Sequence, residues 1–336
     1  MVHQQVFGIL EIFIGNVTTV VLLYCRAVLK PLIIILAAGL VLAGCSDDSD
    51  DGSGLLGNGL LNALGRVRAT AETRTSVEYG EPAAVKALVD KVKDKDSAKD
   101  KLRYQMLQGV GYSSISMYSQ TVEDKLGLHF DKFDSAIFVG KAPKQGTVLS
   151  GDYDVSAVDG KLSELGVDNA SALGGTRWRA GDDYEINFEG PFGDTVPLSQ
   201  LNDIVTREGA FAFAPAKEVV EWVTDPGDKT LADDDVLVGL AKCLGGVVAA
   251  QLEGTGEAVG VRQDGTQIIC LKGDVDRVSD ALKGDMPSGR PWKDVLPGAE
   301  AAESDGLVQV TVPPRDSGAV GQVLAVMRNG DLDGLK

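Results

Sequence analysis

Two stretches, "IFVGKAPKQGTVLSGDYD" (Ile137–Asp154) and "VGVRQDGTQIICLKGDVD" (Val259–Asp276), follow one plan at a constant offset of 122 residues. In each, two apolar runs flank a turn of polar and glycine residues, which is a hairpin signal, and a Gly-Asp pair then leads into a helical pattern. Ile137 and Val139 match Val259 and Val261; Val148, Leu149, Gly151, Asp152 and Asp154 match Cys270, Leu271, Gly273, Asp274 and Asp276. Further along, a turn around Asp183 and strand positions at Ile186 and Phe188 match Asp305, Val308 and Val310. A single gapless offset is the mark of an internal repeat. Each copy reads helix, two strands, helix, two strands, helix. The expected fold class is α+β, with two similar lobes of mainly antiparallel sheet packed by helices.

Outside the repeated stretch, the runs "SAIFVGKA", "GTVLSG", "GTRWRA", "YEINFE", "DIVTRE" and "AFAFA" read as strands of a first lobe. "GVVAAQLE", "AVGVR", "QIICLKG" and "LVQVTV" read as strands of a second. "EPAAVKALVDKVKDK" (Glu81–Lys95) places Pro82 at a helix start and Val85, Leu88, Val89 and Val92 on one face. "SISMYSQTVEDKLG" (Ser114–Gly127) is a second amphipathic helix, stopped by Gly127. The lobes are expected at 76–228 and 229–336, preceded by a tether over 45–75. Within that tether "LLGNGLLNALGRVRAT" (Leu55–Thr70) reads either as a short docking helix or as an extension of the linker.

Residues 1–44 read as a targeting segment. "LIIILAAGLVL" (Leu32–Leu42) is apolar but too short to span a bilayer, and Arg26 and Lys30 precede it. "LAGC" (Leu42–Cys45) then resembles the lipobox of bacterial lipoproteins. The resemblance implies cleavage between Gly44 and Cys45, diacylglycerol on the Cys45 sulfur, and a protein held on the extracytoplasmic face of the cell membrane. Two or more acyl chains suffice for stable anchoring. Ser46 to Gly54, all Ser, Asp and Gly, suits a flexible tether. A second apolar run upstream, Val6–Cys25, indicates either a true start near Val21 or Val28, or an additional transmembrane segment.

Of the 336 residues, 44% are hydrophobic and 24% charged, as in ordinary globular domains. Lys and Arg number 32 against 49 Asp and Glu, a net charge of -17, which argues against nucleic acid as a partner. Only Glu11, Arg26 and Lys30 are charged before Cys45, so the acidity belongs to the body beyond it. With Cys25 upstream and Cys45 lipidated, Cys243 and Cys270 remain as a pair suited to a structural disulfide in an oxidising compartment.

Most catalytic chemistries find no foothold in these residues. His129 in "GLHFDKFD" is the one histidine after Cys45, which excludes His-Glu-x-x-His, and it reads as a surface or a satisfied polar residue. Neither a Gly-x-Ser-x-Gly elbow nor a Ser-x-x-Lys pair occurs. Two calcium-like loops, Asp47 to Asn58 and Asn329 to Gly334, lack the closing bidentate Glu, so no metal site is expected. Carboxylates pair at Asp152 and Asp154, at Asp182 and Asp183, and along Asp233 to Asp235; Asp182 and Asp183 suit a tight turn between strands, and Asp233 the start of a helix whose positive end favours it. Gly254, Gly256 and Gly260 miss the dinucleotide spacing and suit a hairpin turn. No catalytic residue and no cofactor is expected.

The body is similar to uncharacterised lipoproteins of high-GC Gram-positive bacteria in "VEYG" (Val77–Gly80), "GDYD" (Gly151–Asp154) and "LADDDVLVGLAKCLGGVVAA" (Leu231–Ala250). That resemblance implies an envelope address without an activity. The functional expectation is a non-catalytic, lipid-anchored binding protein with a protein or ligand partner. The alternatives are a lipid or glycolipid carrier with an apolar cavity, and an envelope hydrolase using carboxylates near Asp152 or Asp182.

Overall fold

The computed structural model describes residues 59–336 apart from Leu173 and 194–198. The lipobox at Leu42–Cys45, the cleavage point after Gly44, Cys25, and the loop from Asp47 to Asn58 lie outside the described residues. Helix α1 (Gly59–Leu64) leads to β1 (Ser76–Gly80); α2 (Pro82–Asp90) and α3 (Ser119–Leu126) follow, then a hairpin of β2 (Ser135–Lys141) and β3 (Lys144–Ser150). Next come α4 (Val155–Glu164), the hairpin β4 (Asp168–Ala172) and β5 (Gly175–Arg179), the hairpin β6 (Asp203–Arg207) and β7 (Ala210–Ala214), and α5 (Lys217–Thr224). The remainder runs α6 (Asp235–Leu244), β8 (Ala249–Glu253), β9 (Glu257–Val261), β10 (Gln267–Leu271), α7 (Val275–Ala281), β11 (Glu300–Ser304), β12 (Leu307–Val312) and α8 (Gln322–Arg328). The class is α+β.

The twelve strands among the described residues join one antiparallel sheet in the order β11-β12-β10-β9-β8-β1-β2-β3-β7-β6-β5-β4. The two halves therefore share a sheet instead of building separate ones, and they meet where β1 pairs with β8, Glu78 opposite Gln251 and Tyr79 opposite Ala250. Outward from this seam the path is β1-β2-β3-β7-β6 on one side and β8-β9-β10-β12-β11 on the other, while β5 and β4 extend only the first.

This order corrects part of the expected alignment. Ile186 and Phe188 are in no strand; they lie in the loop after β5 with more than half of each side chain in solvent. The hairpin in the place of β11–β12 is β6–β7, turning at Gly209 as the other turns at Asp305 and Gly306. The hairpin β4–β5 and its following loop are additional in the first half, and a gapless offset cannot cross them. The Gly-Asp turns are also displaced by two positions. Asp154 caps α4 by accepting from the Ala157 N–H at 2.9 Å, whereas Asp274, which aligns with Asp152, caps α7 by accepting from Arg277 at 3.0 Å.

Strand alternation divides the core between the two faces. On one face Val77, Tyr79, Ile137, Val139, Val148, Ala212, Ala250 and Ile268 pack against α1, α5 and α6. Cys270 of β10 points to this face and is bonded to Cys243 at the end of α6, tying helix to sheet. On the opposite face, Val259, Val261, Ile269, Leu271, Val308 and Val310 meet Leu88 of α2, Val278 of α7 and Leu324 of α8. Farther along that face Leu149, Ile204, Phe211 and Phe213 meet α3 and α4 through Val122, Leu126, Val158 and Leu162.

The folded body starts earlier than the expected Ser76. Leu60, Leu64 and Val67 are buried against Leu231 and Leu237, and each such side chain contributes about 1.5–3 kcal/mol on leaving water. Of the two readings of Leu55–Thr70, the helix is realised over Gly59–Leu64, and the residues from Gly59 onward belong to the body, not to a tether. Among the described residues, no helix is long and apolar enough to cross a membrane.

Candidate functional site

Pro82 opens α2, and the 3.6-residue period turns Val85 and Leu88 inward while Lys86 and Asp90 stay on the outer side. The segment 107–112 lies flush against the ends of β1 and β2. Two glycines make this approach possible: a Cβ on Gly80 would stand 2.1 Å from the Val110 carbonyl oxygen, and one on Gly111 would stand 2.5 Å from that of Ala136. Gly111 also has φ +88°, a conformation that strains other residues.

Between α2, this segment and the turn at Phe130–Lys132 lies a pocket of about 220 Å³. Val85, Val89 and Leu107 supply its apolar part; Glu81, Lys86, Asp90 and Asp131 supply its ionisable groups. Lys86 donates to Asp90 at 2.6 Å, one turn along the helix, which lowers the Asp90 pKa and raises that of the lysine. At the head of the helix Glu81 accepts from the Tyr79 hydroxyl at 2.7 Å. Burial raises the Glu81 pKa, the tyrosine hydrogen bond opposes that rise, and Asp134 adds to it. Tyr112 closes one side, its ring stacked on Phe130 with centroids 5.2 Å apart. Burial first, then the charges of Glu123 and Asp131, push its hydroxyl up to about 12.

His129 is exposed as expected, yet it is not isolated. Gly127, at φ 67°, caps α3 in the left-handed conformation and turns the chain back past the last turn of that helix. His129 Nδ1 thereby comes within 3.7 Å of Glu123 Oε2, and Asp131 offers a carboxylate oxygen beside them. Glu123 Oε1 accepts from the Phe130 N–H at 3.0 Å. A helix-terminating glycine before an acidic and histidine-bearing loop is the one sequence signal that could have revealed the group.

The other residues singled out from the sequence stay apart. Asp182 accepts from Arg179 at 2.6 Å on the surface, Asp183 accepts from the Lys217 N–H at 3.2 Å, and Asp154 is occupied as a helix cap. Asp234, not Asp233, caps α6; Asp233 instead closes a capping box with Thr230. Gly254 and Gly256 form the turn between β8 and β9 as expected, but Gly260, expected in the same turn, lies within β9 opposite Ala250. A second concavity of about 290 Å³ gathers Asp274, Asp276 and Glu303 beside the edge strand β11. Glu78 and Thr147 belong to no motif that marks them in the sequence. They are buried on one face of the central strands, and Glu78 Oε2 and Thr147 Oγ1 have no hydrogen-bond partner among the described residues.

No family profile matches the chain, and no curated protein is similar to it. Among solved structures it is similar to crystal form I of TP0453, at 9% identity and a TM-score of 0.37, covering 80% of this chain and 97% of that one. Crystal form IV of TP0453 gives 10% identity and a TM-score of 0.35, over 79% of this chain and 96% of that one.

Proposed function

We propose that this chain is a lipid-anchored lipoprotein on the extracytoplasmic face of the cell membrane, and that its body is a non-catalytic module binding a small amphiphilic ligand beside α2. The lipobox-like "LAGC" supports the anchor, and a disulfide between Cys243 and Cys270 is in keeping with an oxidising compartment.

The observation that carries the binding reading is the pocket's composition, an apolar side of Val85, Val89 and Leu107 below a rim with three carboxylates, Glu81, Asp90 and Asp131, to one lysine. That balance favours a ligand with a short apolar portion and a basic group. At about 220 Å³ the pocket is smaller than the ~300–1,000 Å³ typical of drug-sized sites, so it suits a headgroup-sized molecule better than an acyl chain.

Native mass spectrometry of the full-length product from membranes of its own cell tests both parts. A mass beginning at lipidated Cys45 with a small bound amine supports them. Retention of residues before Cys45 refutes the anchor, and a bound acylated lipid that survives Val85→Trp refutes the pocket assignment.

A further inference from the structure

We propose that Glu123, His129 and Asp131 form a divalent-cation site of the zinc type. Glu123 stands on the last turn of α3, and His129 and Asp131 flank Phe130 at the start of the next turn. One ligand atom from each lies within 4.8 Å of the other two. Glu123 Oε2 and His129 Nδ1 are 3.7 Å apart, too far for a hydrogen bond. Two ligands each about 2.1 Å from a tetrahedral ion stand roughly 3.4 Å apart, so side-chain rotation of well under an ångström closes this pair on a metal.

The surrounding structure prepares the group for that task. The Phe130 N–H holds Glu123 Oε1 at 3.0 Å, which leaves Oε2 as the free oxygen and fixes its direction, the outer-shell arrangement that orients metal ligands. Phe130 is buried and stacked on Tyr112, so the backbone between His129 and Asp131 is anchored from below. The Glu123 side chain is only 16% exposed, whereas the imidazole is 55% exposed and faces solvent. Ion entry and a water ligand at a fourth position are therefore open from the His129 side.

The donor set selects the ion class. An imidazole nitrogen with two carboxylates suits Zn²⁺ or a similar first-row dication, while Ca²⁺ and Mg²⁺ take all-oxygen sites. Two carboxylates also match the charge of a dication. The concavity of Asp274, Asp276 and Glu303 has carboxylates but no nitrogen donor among its lining residues. Asp131 also stands on the rim of the pocket beside α2, but Glu123 and His129 do not, so variants at those two residues test the metal site apart from the amphiphile reading.

The test is calorimetric titration of Zn²⁺ into the full-length, chelator-treated protein, compared with His129→Ala and Glu123→Gln. The expected result is one ion per chain with affinity lowered at least about tenfold in each variant, and Co²⁺ visible bands in the wild type that His129→Ala abolishes. Because the His129 ring is largely exposed, that variant should melt as the metal-free wild type does, and it carries the test even if Glu123→Gln folds poorly. A wild type that takes no Zn²⁺ overturns the proposal and leaves a His129–Glu123 ion pair. Binding undiminished in His129→Ala, as at an unlipidated Cys45 thiol, overturns it equally.

Discussion

Tyr79 donates its hydroxyl to Glu81 Oε1 across 2.7 Å, joining a ring that is almost wholly buried to a carboxylate whose pKa burial has raised. The pair sits where β1 ends and α2 begins, and a Cβ at Gly59 of α1 would fall 2.3 Å from the Tyr79 oxygen. Three elements thus converge on one partly desolvated acid.

The raised pKa has a definite sign in stability. The unfolded chain releases the Glu81 proton near pH ~4.3, the folded chain only at higher pH, so between those values the folded state holds more protons and stability falls as pH rises. Glu81→Gln keeps an acceptor for Tyr79 and removes the charge. Urea unfolding should show this variant more stable than wild type at pH 7, with the advantage gone below about pH 4.

Asp203 of β6 is fully buried and pairs with Arg177 of β5, its pKa raised first by burial and drawn back by the guanidinium. The pair fastens the additional β4–β5 hairpin to the sheet. Asp203→Ala strands the arginine and should cost about 3 kcal/mol in denaturant unfolding, with a smaller loss for Asp203→Asn.

The bond between Cys243 and Cys270 closes a separation of 27 residues. In the chain-entropy account, replacing both cysteines with serine should lower unfolding stability by about 3.5 kcal/mol. Since both sulfurs are buried, thiol labelling in the presence of a reductant should show the native wild type resisting reduction and labelling of this bond until the chain unfolds.

Gly111→Ala meets backbone on two sides, the Ala136 oxygen and the Gly80 nitrogen, at a φ that already strains an alanine. A loss of more than about 2 kcal/mol is expected, together with a displaced 107–112 segment, read as faster hydrogen exchange at Val110 and Tyr112.

Regular elements were legible wherever period and burial agreed. Val85 and Leu88 of α2, the alternation through β2 and β3, and the αL stop at Gly127 all follow from local pattern. The edge strands β4 and β11 escaped notice because Asp168–Ala172 and Glu300–Ser304 are mostly exposed and polar, which protects a sheet edge but erases the apolar signal. "YEINFE" misled for the opposite reason: its alternation is strand-like, yet Ile186 and Phe188 are left in solvent. The pocket was not legible, since it depends on chain reversals that bring separated residues together; the Glu123–His129–Asp131 group left one faint trace, the helix stop at Gly127 ahead of an acidic, histidine-bearing loop.

The join between β1 and β8 bears on the order in which the chain can assemble. β1 can pair with β2 as soon as the first half exists, but its other edge waits for residues 169 to 177 positions further on. Until β8 is available, the middle of the finished sheet is a bare edge able to pair with another chain. Contacts so distant in sequence slow folding. A fragment ending before Ala249 should therefore collect as dimers or larger species through β1, and the intact chain should refold more slowly than its mainly hairpin-linked strands would suggest.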